Sequence, residues 1–290
     1  MNSKPIVPLA LLAALLMAPG AAAQNPPAGA ANPRADSLRS AQRLDADGKH
    51  GDARAIYQQL IATAADPAAK ASATRRLAMS YGSDANCAKV IELEEQVIAD
   101  WETRREAEPQ NAHYQEGEMA NEAGRVCIDH GFLNEAERMY RRGAELANAE
   151  PSPRTHPKSL WDYRLAHALA RVAARRGNAP EAQRWVVEAR KALDSDSTMA
   201  KSQEQYFPYL VGYVALFTGD LATAQAQFTK TVAAMPNDPF QLVLLGMAHD
   251  KMGHADVARG FYQRAYDMST GSNPPQVYSR TFTKKQLGLP

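Results

Sequence analysis

The apolar positions of this chain fall into two patterns. Between Ile6 and Met17 they form a short apolar run, with Lys4 ahead of it and Pro19-Gly20 behind. From Asp36 onward the chain reads as helix almost without interruption, dominated by Ala, Leu, Arg, Gln and Glu. No stretch alternates β-branched or aromatic residues with polar ones between turns, so no strand is predicted and the chain is all-α. The helices come in pairs joined by short turns that contain glycine, such as His130-Gly131-Phe132 and Arg176-Gly177-Asn178.

The pairs share a template. Val211-Gly212, Gly219, Ala224, Phe228 and Pro236 recur 34 residues later as Leu245-Gly246, Gly253, Ala258 and Tyr262, with Thr270 in place of the proline. Earlier pairs carry Leu169-Ala170, Gly177, Ala182 and Ala189; Ala123-Gly124, Gly131, Ala136 and Tyr140; and Ala41, Gly48, Ala53 and Tyr57. Between the last two of these, Leu77-Ala78 and Tyr81 open a degenerate pair, whose turn from Gly82 to Asn86 is expected to hold an insertion. A fixed period of this length marks a stacked-repeat solenoid, in which each hairpin buries its apolar face on its neighbours. The residues resemble the tetratricopeptide repeat over residues 36–269. That resemblance implies an α-α superhelix of about six hairpins, with small residues where paired helices approach and bulky ones between hairpins. Residues 270–290 break with Thr-Gly-Ser-Asn-Pro-Pro and then offer a closing helix from Gln276 to Leu287. Its Tyr278, Phe282 and Leu287 are expected to cover the open end of the stack, the alternative being a partner-binding tail.

The short apolar run has another meaning. Lys4, the apolar core, the helix breaker and Ala21-Ala22-Ala23 together read as a secretory signal peptide over residues 1–23, cleaved after Ala23 and too short to span a bilayer. Residues 24–35, rich in Pro, Gly and Ala, read as a flexible leader. The chain is thus expected in the periplasm or outside the cell, with no membrane span. The 33 basic and 32 acidic residues nearly cancel, which argues against bulk attraction to nucleic acid.

The resemblance implies that the first helix of each hairpin lines a concave groove. Its groove positions here are Asn121, Arg125 and Asp129 in the third hairpin, and Arg164, His167, Arg171 and Arg175 in the fourth. In the fifth they are Tyr206, Tyr209, Tyr213 and Phe217, and Phe240, Val243 and Met247 follow in the sixth. Spacings of three and four residues put each set on one helix face. A cationic face would then adjoin an aromatic one. Arginine forks suit carboxylates and tyrosines supply apolar area with polar tips, so the expected partner is a protein or peptide with an acidic segment or a free C-terminal carboxylate. The competing reading makes the aromatic stripe core and the arginines a solvated face.

Cys87 and Cys127 are expected to form a disulfide between neighbouring helices of the second and third hairpins; a metal or redox site built on Cys127 and His130 is the alternative. Glu94-Glu95 and Glu116-Glu118 read as solvated helix-surface charge. No catalytic motif, cofactor motif or metal-ligand cluster stands out. The chain therefore reads as a binding scaffold of the bacterial envelope, an adaptor or assembly factor. The alternatives are a self-associating solenoid whose groove its own tail fills, and an enzyme with a dispersed site.

Overall fold

The computed structural model describes residues 32–290. The expected signal peptide, and all but the last four residues of the expected leader, lie outside the described residues. Those four already belong to a helix start: Asn32 accepts a hydrogen bond from the Ala35 N–H, and Pro33 opens helix α1 (Pro33–Ala46).

Helices account for about four fifths of the described residues, and none of the described residues is in a strand. They are α1, α2 (His50–Ala62), α3 (Pro67–Ser83), α4 (Cys87–Glu102), α5 (Pro109–Asp129), α6 (Leu133–Asn148), α7 (Lys158–Arg175) and α8 (Ala179–Asp194). A short α9 (Ser197–Gln203) and a 3₁₀ turn follow, then α10 (Phe207–Thr218), α11 (Leu221–Ala234), α12 (Pro239–Lys251), α13 (Ala255–Met268) and α14 (Pro274–Leu287). Side chains of Asp66, Asn86, Asn178, Asp220, Asp238 and Asn273 cap helix starts as Asn32 does.

Consecutive helices pack as hairpins, α1 on α2, α3 on α4, α5 on α6, α7 on α8, α10 on α11 and α12 on α13, forming a helical-repeat solenoid. The first helices lie inside. α7 and α12 are buried on nearly all sides, whereas α8, α11 and α13 bury a single stripe. Gly48, Gly131, Gly177, Gly219 and Gly253 turn the chain with positive φ. The second hairpin departs from expectation. α3 continues to Ser83 and only three residues precede α4, with Ala85 taking the left-handed role at φ 58, so the turn carries no insertion. The extra length lies after α4, between α6 and α7, and in α9 with its 3₁₀ turn. The 151–157 connection is held firmly: Arg154 donates to the carbonyls of Ala147, Asn148, Glu150 and His156, while the buried Glu150 carboxylate accepts from the Thr155 and His156 N–H groups.

The spacing of helices within a hairpin is fixed by glycine against an aromatic ring. A Cβ on Gly246 would stand 2.6 Å from the Tyr262 ring, and one on Gly212 would stand 2.9 Å from the Phe228 ring. Gly124 faces Tyr140 in the same way, at 3.0 Å. Helix α14 covers the outer end of the stack, where Leu287 packs with Ala258 and Tyr262, but it also returns to the beginning of the chain. Val277 joins the core of Ala78 and Met79, Arg280 donates to the Ala46 carbonyl at 3.0 Å, and Gln42 donates to the Thr270 carbonyl. The solenoid therefore curls until its last helix meets α1 and α3.

Cys87 and Cys127 are joined as a disulfide, with Cα atoms 5.1 Å apart, fastening the start of α4 to α5. That bond commits both thiols, so Cys127 has no thiolate to offer a metal beside His130.

The packing and the disulfide make three stability predictions. Gly246→Ala should destabilise by about 1–3 kcal/mol because the Tyr262 ring must move. Gly260→Ala, on α13 with open space around it, should stabilise by about 0.5–1 kcal/mol; urea unfolding midpoints at unchanged m-value measure both. Replacing both Cys87 and Cys127 by alanine should cost about 4 kcal/mol, by loop closure across the 40-residue separation. The same urea series on oxidised wild type and double variant reads that difference.

Candidate functional site

Because the first helices run side by side on the inside, their polar faces converge on a cavity of about 260 Å³. Seven of the ten expected groove residues line it: Asn121 and Arg125 from α5, Arg164, His167 and Arg171 from α7, and Tyr206 and Tyr209 at the start of the α10 segment. The other three are not on its wall: Arg175 and Tyr213 lie one turn further along the same helices, and Phe217 two turns. The ten do not form one continuous open groove. His167, Arg171, Tyr209 and Tyr213 are buried, and the inner face beyond the cavity is occupied by Phe240 and by Tyr278 of α14, whose rings stand 5.7 Å apart.

Arginines of α7 do face tyrosines of α10. Arg171 donates to the Tyr209 hydroxyl at 3.0 Å and Arg175 to the Tyr213 hydroxyl at 3.3 Å. Arg171 also donates to Tyr140 of α6 at 3.2 Å, and its guanidinium lies 5.4–5.8 Å from the ring centres of Tyr140, Tyr209 and Tyr213.

The other two arginines of the cavity have acidic partners. Arg125 donates through Nε to Asp129 at 2.9 Å, with its guanidinium over the Phe240 ring, and Arg164 is paired with Glu118. Arg171, only 5% exposed, makes no ion pair with any described carboxylate. Its Nε finds no hydrogen-bond partner, nor do His167 Nε2 and the Tyr163 hydroxyl, and all three residues line the cavity. Buried polar atoms without partners are uncommon. Three of those among the described residues belong to side chains lining this one cavity.

The titration states follow from burial. Burial, with Arg171 and Arg125 nearby, pushes His167 well below the usual imidazole range, so it is neutral at pH 7. Burial pushes the phenols of Tyr140, Tyr163 and Tyr213 upward, which keeps them protonated. The charge of the cavity wall is therefore three guanidinium groups against the single carboxylate of Glu118.

Tyr140, Tyr163, Glu118 and Gln203 complete the wall and were not singled out as site residues by sequence. Tyr140 carries a template signal as the packing aromatic of its hairpin; nothing in the local sequence marks Tyr163 or Gln203. Three carboxylates read as solvated charge are otherwise placed. Glu116 is fully buried under a two-bond pairing with Arg105, at 2.8 and 2.7 Å. Glu94 is fully buried with neither oxygen partnered, and burial, with Glu122 beside it, raises it well above the carboxylate range. Glu118 sits in the cavity wall. The helical surface pattern misled because the faces beyond the core stripe are covered by neighbouring hairpins.

A larger apolar groove of about 900 Å³ lies on the outer side, between α8, α10 and the start of α11, lined by Val186, Val187, Phe207, Val211 and Val214. The charged Arg190 at its edge is already paired with Asp194 and Glu204. It offers area without converging polar groups, so the inner cavity is the better candidate. Among the described residues no group of three or more His, Cys, Asp or Glu side chains is placed to hold a metal ion, and no helix is long and apolar enough to cross a membrane.

No protein-family model matches this chain, and no curated protein matches its sequence.

The neutral His167 has a measurable consequence. The unfolded chain takes up a proton near pH 6.5 that the folded chain refuses, so its contribution is present above pH 6.5 and is lost as pH falls below it. His167→Gln should therefore lose stability less steeply than wild type below pH 6.5, by up to about 1.4 kcal/mol per pH unit. Urea unfolding of both proteins at pH 7 and pH 5 tests the difference in slope.

Proposed function

We propose that this chain is a tetratricopeptide-type binding scaffold, exported to the bacterial periplasm, that holds a segment of a partner protein in its inner cavity. Several features support this reading. The hairpin template and its small-against-aromatic contacts match what the repeat resemblance implies, and the sequence of residues 1–23 fits an export signal. A disulfide that closes 40 residues of chain suits an oxidising compartment. The near balance of acidic and basic residues speaks for a defined contact over diffuse attraction to nucleic acid.

One observation carries the reading: the inner helices bring three arginines and several aromatic rings together around one cavity. These groups fit recognition better than reaction. Burial moves the phenols and His167 away from neutral pH, the opposite of a group poised to exchange protons. Helix α14 occupies the other end of the inner face, so a partner segment enters from the side of Tyr206, Arg164 and Asn121. An adaptor or assembly role in the envelope is the use such a scaffold would serve.

The test is site-specific photocrosslinking in the producing cell. A photoreactive residue replacing Tyr206, at the mouth, should yield a discrete partner adduct, whereas one replacing Val257, exposed on α13, should not. Identical adducts from both positions, or none from Tyr206, would count against the cavity as the contact site.

A further inference from the structure

Five hairpin turns share one geometry, and the last of them is furnished differently. In each, the residue after the turn glycine donates its N–H to the carbonyl five residues back: Lys49 to Leu44, Phe132 to Cys127, Asn178 to Ala173, Asp220 to Ala215 and His254 to His249, at 2.8–3.0 Å. In the fourth and fifth hairpins this sets a buried alanine beside a residue whose side chain caps the next helix, Asn178 for α8 and Asp220 for α11. The sixth hairpin has histidine in both places. His254 stands at the N-cap of α13, yet its side chain makes no capping bond. Its Nδ1 instead faces Nδ1 of His249 at 3.4 Å. The His249 ring lies nearly parallel to that of Phe261 on α13, with 5.5 Å between centres, so both rings are held by the turn and the helix that follows it.

Two nitrogens at this separation make a poor hydrogen bond, because N–H donors prefer acceptors within about 3.2 Å. The separation suits a shared ion. Imidazole nitrogens at about 2.0–2.1 Å from a tetrahedral zinc ion stand about 3.3–3.4 Å from each other. We propose that His249 and His254 form a surface site for a borderline divalent cation, zinc or copper(II), bound through both Nδ1 atoms. Imidazole suits these ions, whereas magnesium and calcium take oxygen donors. The unperturbed pKa of imidazole, about 6.5, leaves its lone pairs largely free at pH 7. His249 is half-buried and His254 exposed, and their contact lies at the protein surface. No group of three or more His, Cys, Asp or Glu among the described residues is placed to enclose an ion, so two histidines leave the remaining positions to water and the ion is exchangeable. Neither histidine lines the inner cavity, so this site and the cavity reading stand or fall separately.

The chain, purified without a tag and stripped with a chelator, is titrated calorimetrically at pH 7 with copper(II), zinc or magnesium chloride. One equivalent of copper(II) should bind, zinc should bind more weakly, and magnesium should not bind. His249→Ala and His254→Asn give the sixth turn the residues that Ala173 and Asn178 supply in the fourth, so both variants should fold. Each should weaken copper at least tenfold and lose the rise in melting temperature that the ion gives wild type. Electron paramagnetic resonance of the copper-loaded wild type should show two bound imidazole nitrogens, a readout that needs no variant. No saturable binding of either ion, affinity unchanged in both variants, or a spectrum without the nitrogen pair would each overturn the site.

Discussion

Two helices can lie only as close as the residues between them permit, and this constraint organises the whole chain. Where glycine meets an aromatic ring, as Gly246 meets Tyr262 and Gly212 meets Phe228, no room is left for even one more carbon. Gly124 against Tyr140 makes the same contact in a third hairpin, and alanines stand at the matching places of the others, so paired helices approach closely throughout the stack. Curvature brings α14 round to α1 and α3. The inner helices are then enclosed by their own stack, and side chains that would be solvated on a straight array become buried. The buried arginines and phenols of the inner face are thus a consequence, several steps removed, of small residues inside hairpins.

The enclosure changes what the inner face can do. An open groove would present Arg171 and Arg175 to water, where an ion pair with a partner is worth little. In the enclosed arrangement Arg171 lies beneath the surface and Tyr278 stands against Phe240 at one end, leaving a cavity with a mouth on the side of Tyr206. The disulfide between Cys87 and Cys127 fastens α4 to α5, the helix that carries Asn121 and Arg125 into the site.

Much of this could be read from the sequence because it is local or periodic. The hairpin turns, the pairing of small residue with aromatic, the cysteine pair and the facing of α7 arginines toward α10 tyrosines all follow from a register that repeats. What could not be read depends on the radius of the curl, which no single repeat encodes. The contacts of Arg280 with Ala46 and of Thr281 with Ser83 join residues about two hundred positions apart, and they bring α14 against the beginning of the chain. The same contacts explain the misplaced carboxylates. Glu94 and Glu116 occupy positions that look solvent-facing on an isolated helix and become interior once the next hairpin is laid over them. Tyr163 and Gln203 enter the cavity for a similar reason, the latter carried there by the irregular α9 segment that interrupts the period.

The electrostatics of the interior then discriminate between roles for its three arginines. A guanidinium that serves only to hold helices together is most economically satisfied by a carboxylate from the neighbouring turn, and Arg125 with Asp129, four residues apart, is that case. Arg164 reaches from α7 to Glu118 on α5 and ties two hairpins together at the mouth. Arg171 has neither arrangement; its two hydrogen bonds go to the hydroxyls of Tyr140 and Tyr209. Phenols there keep the fork oriented without cancelling its charge. A neutral residue of similar length would fill the same space with no desolvation cost, so orientation without neutralisation is an arrangement that structural need alone does not call for.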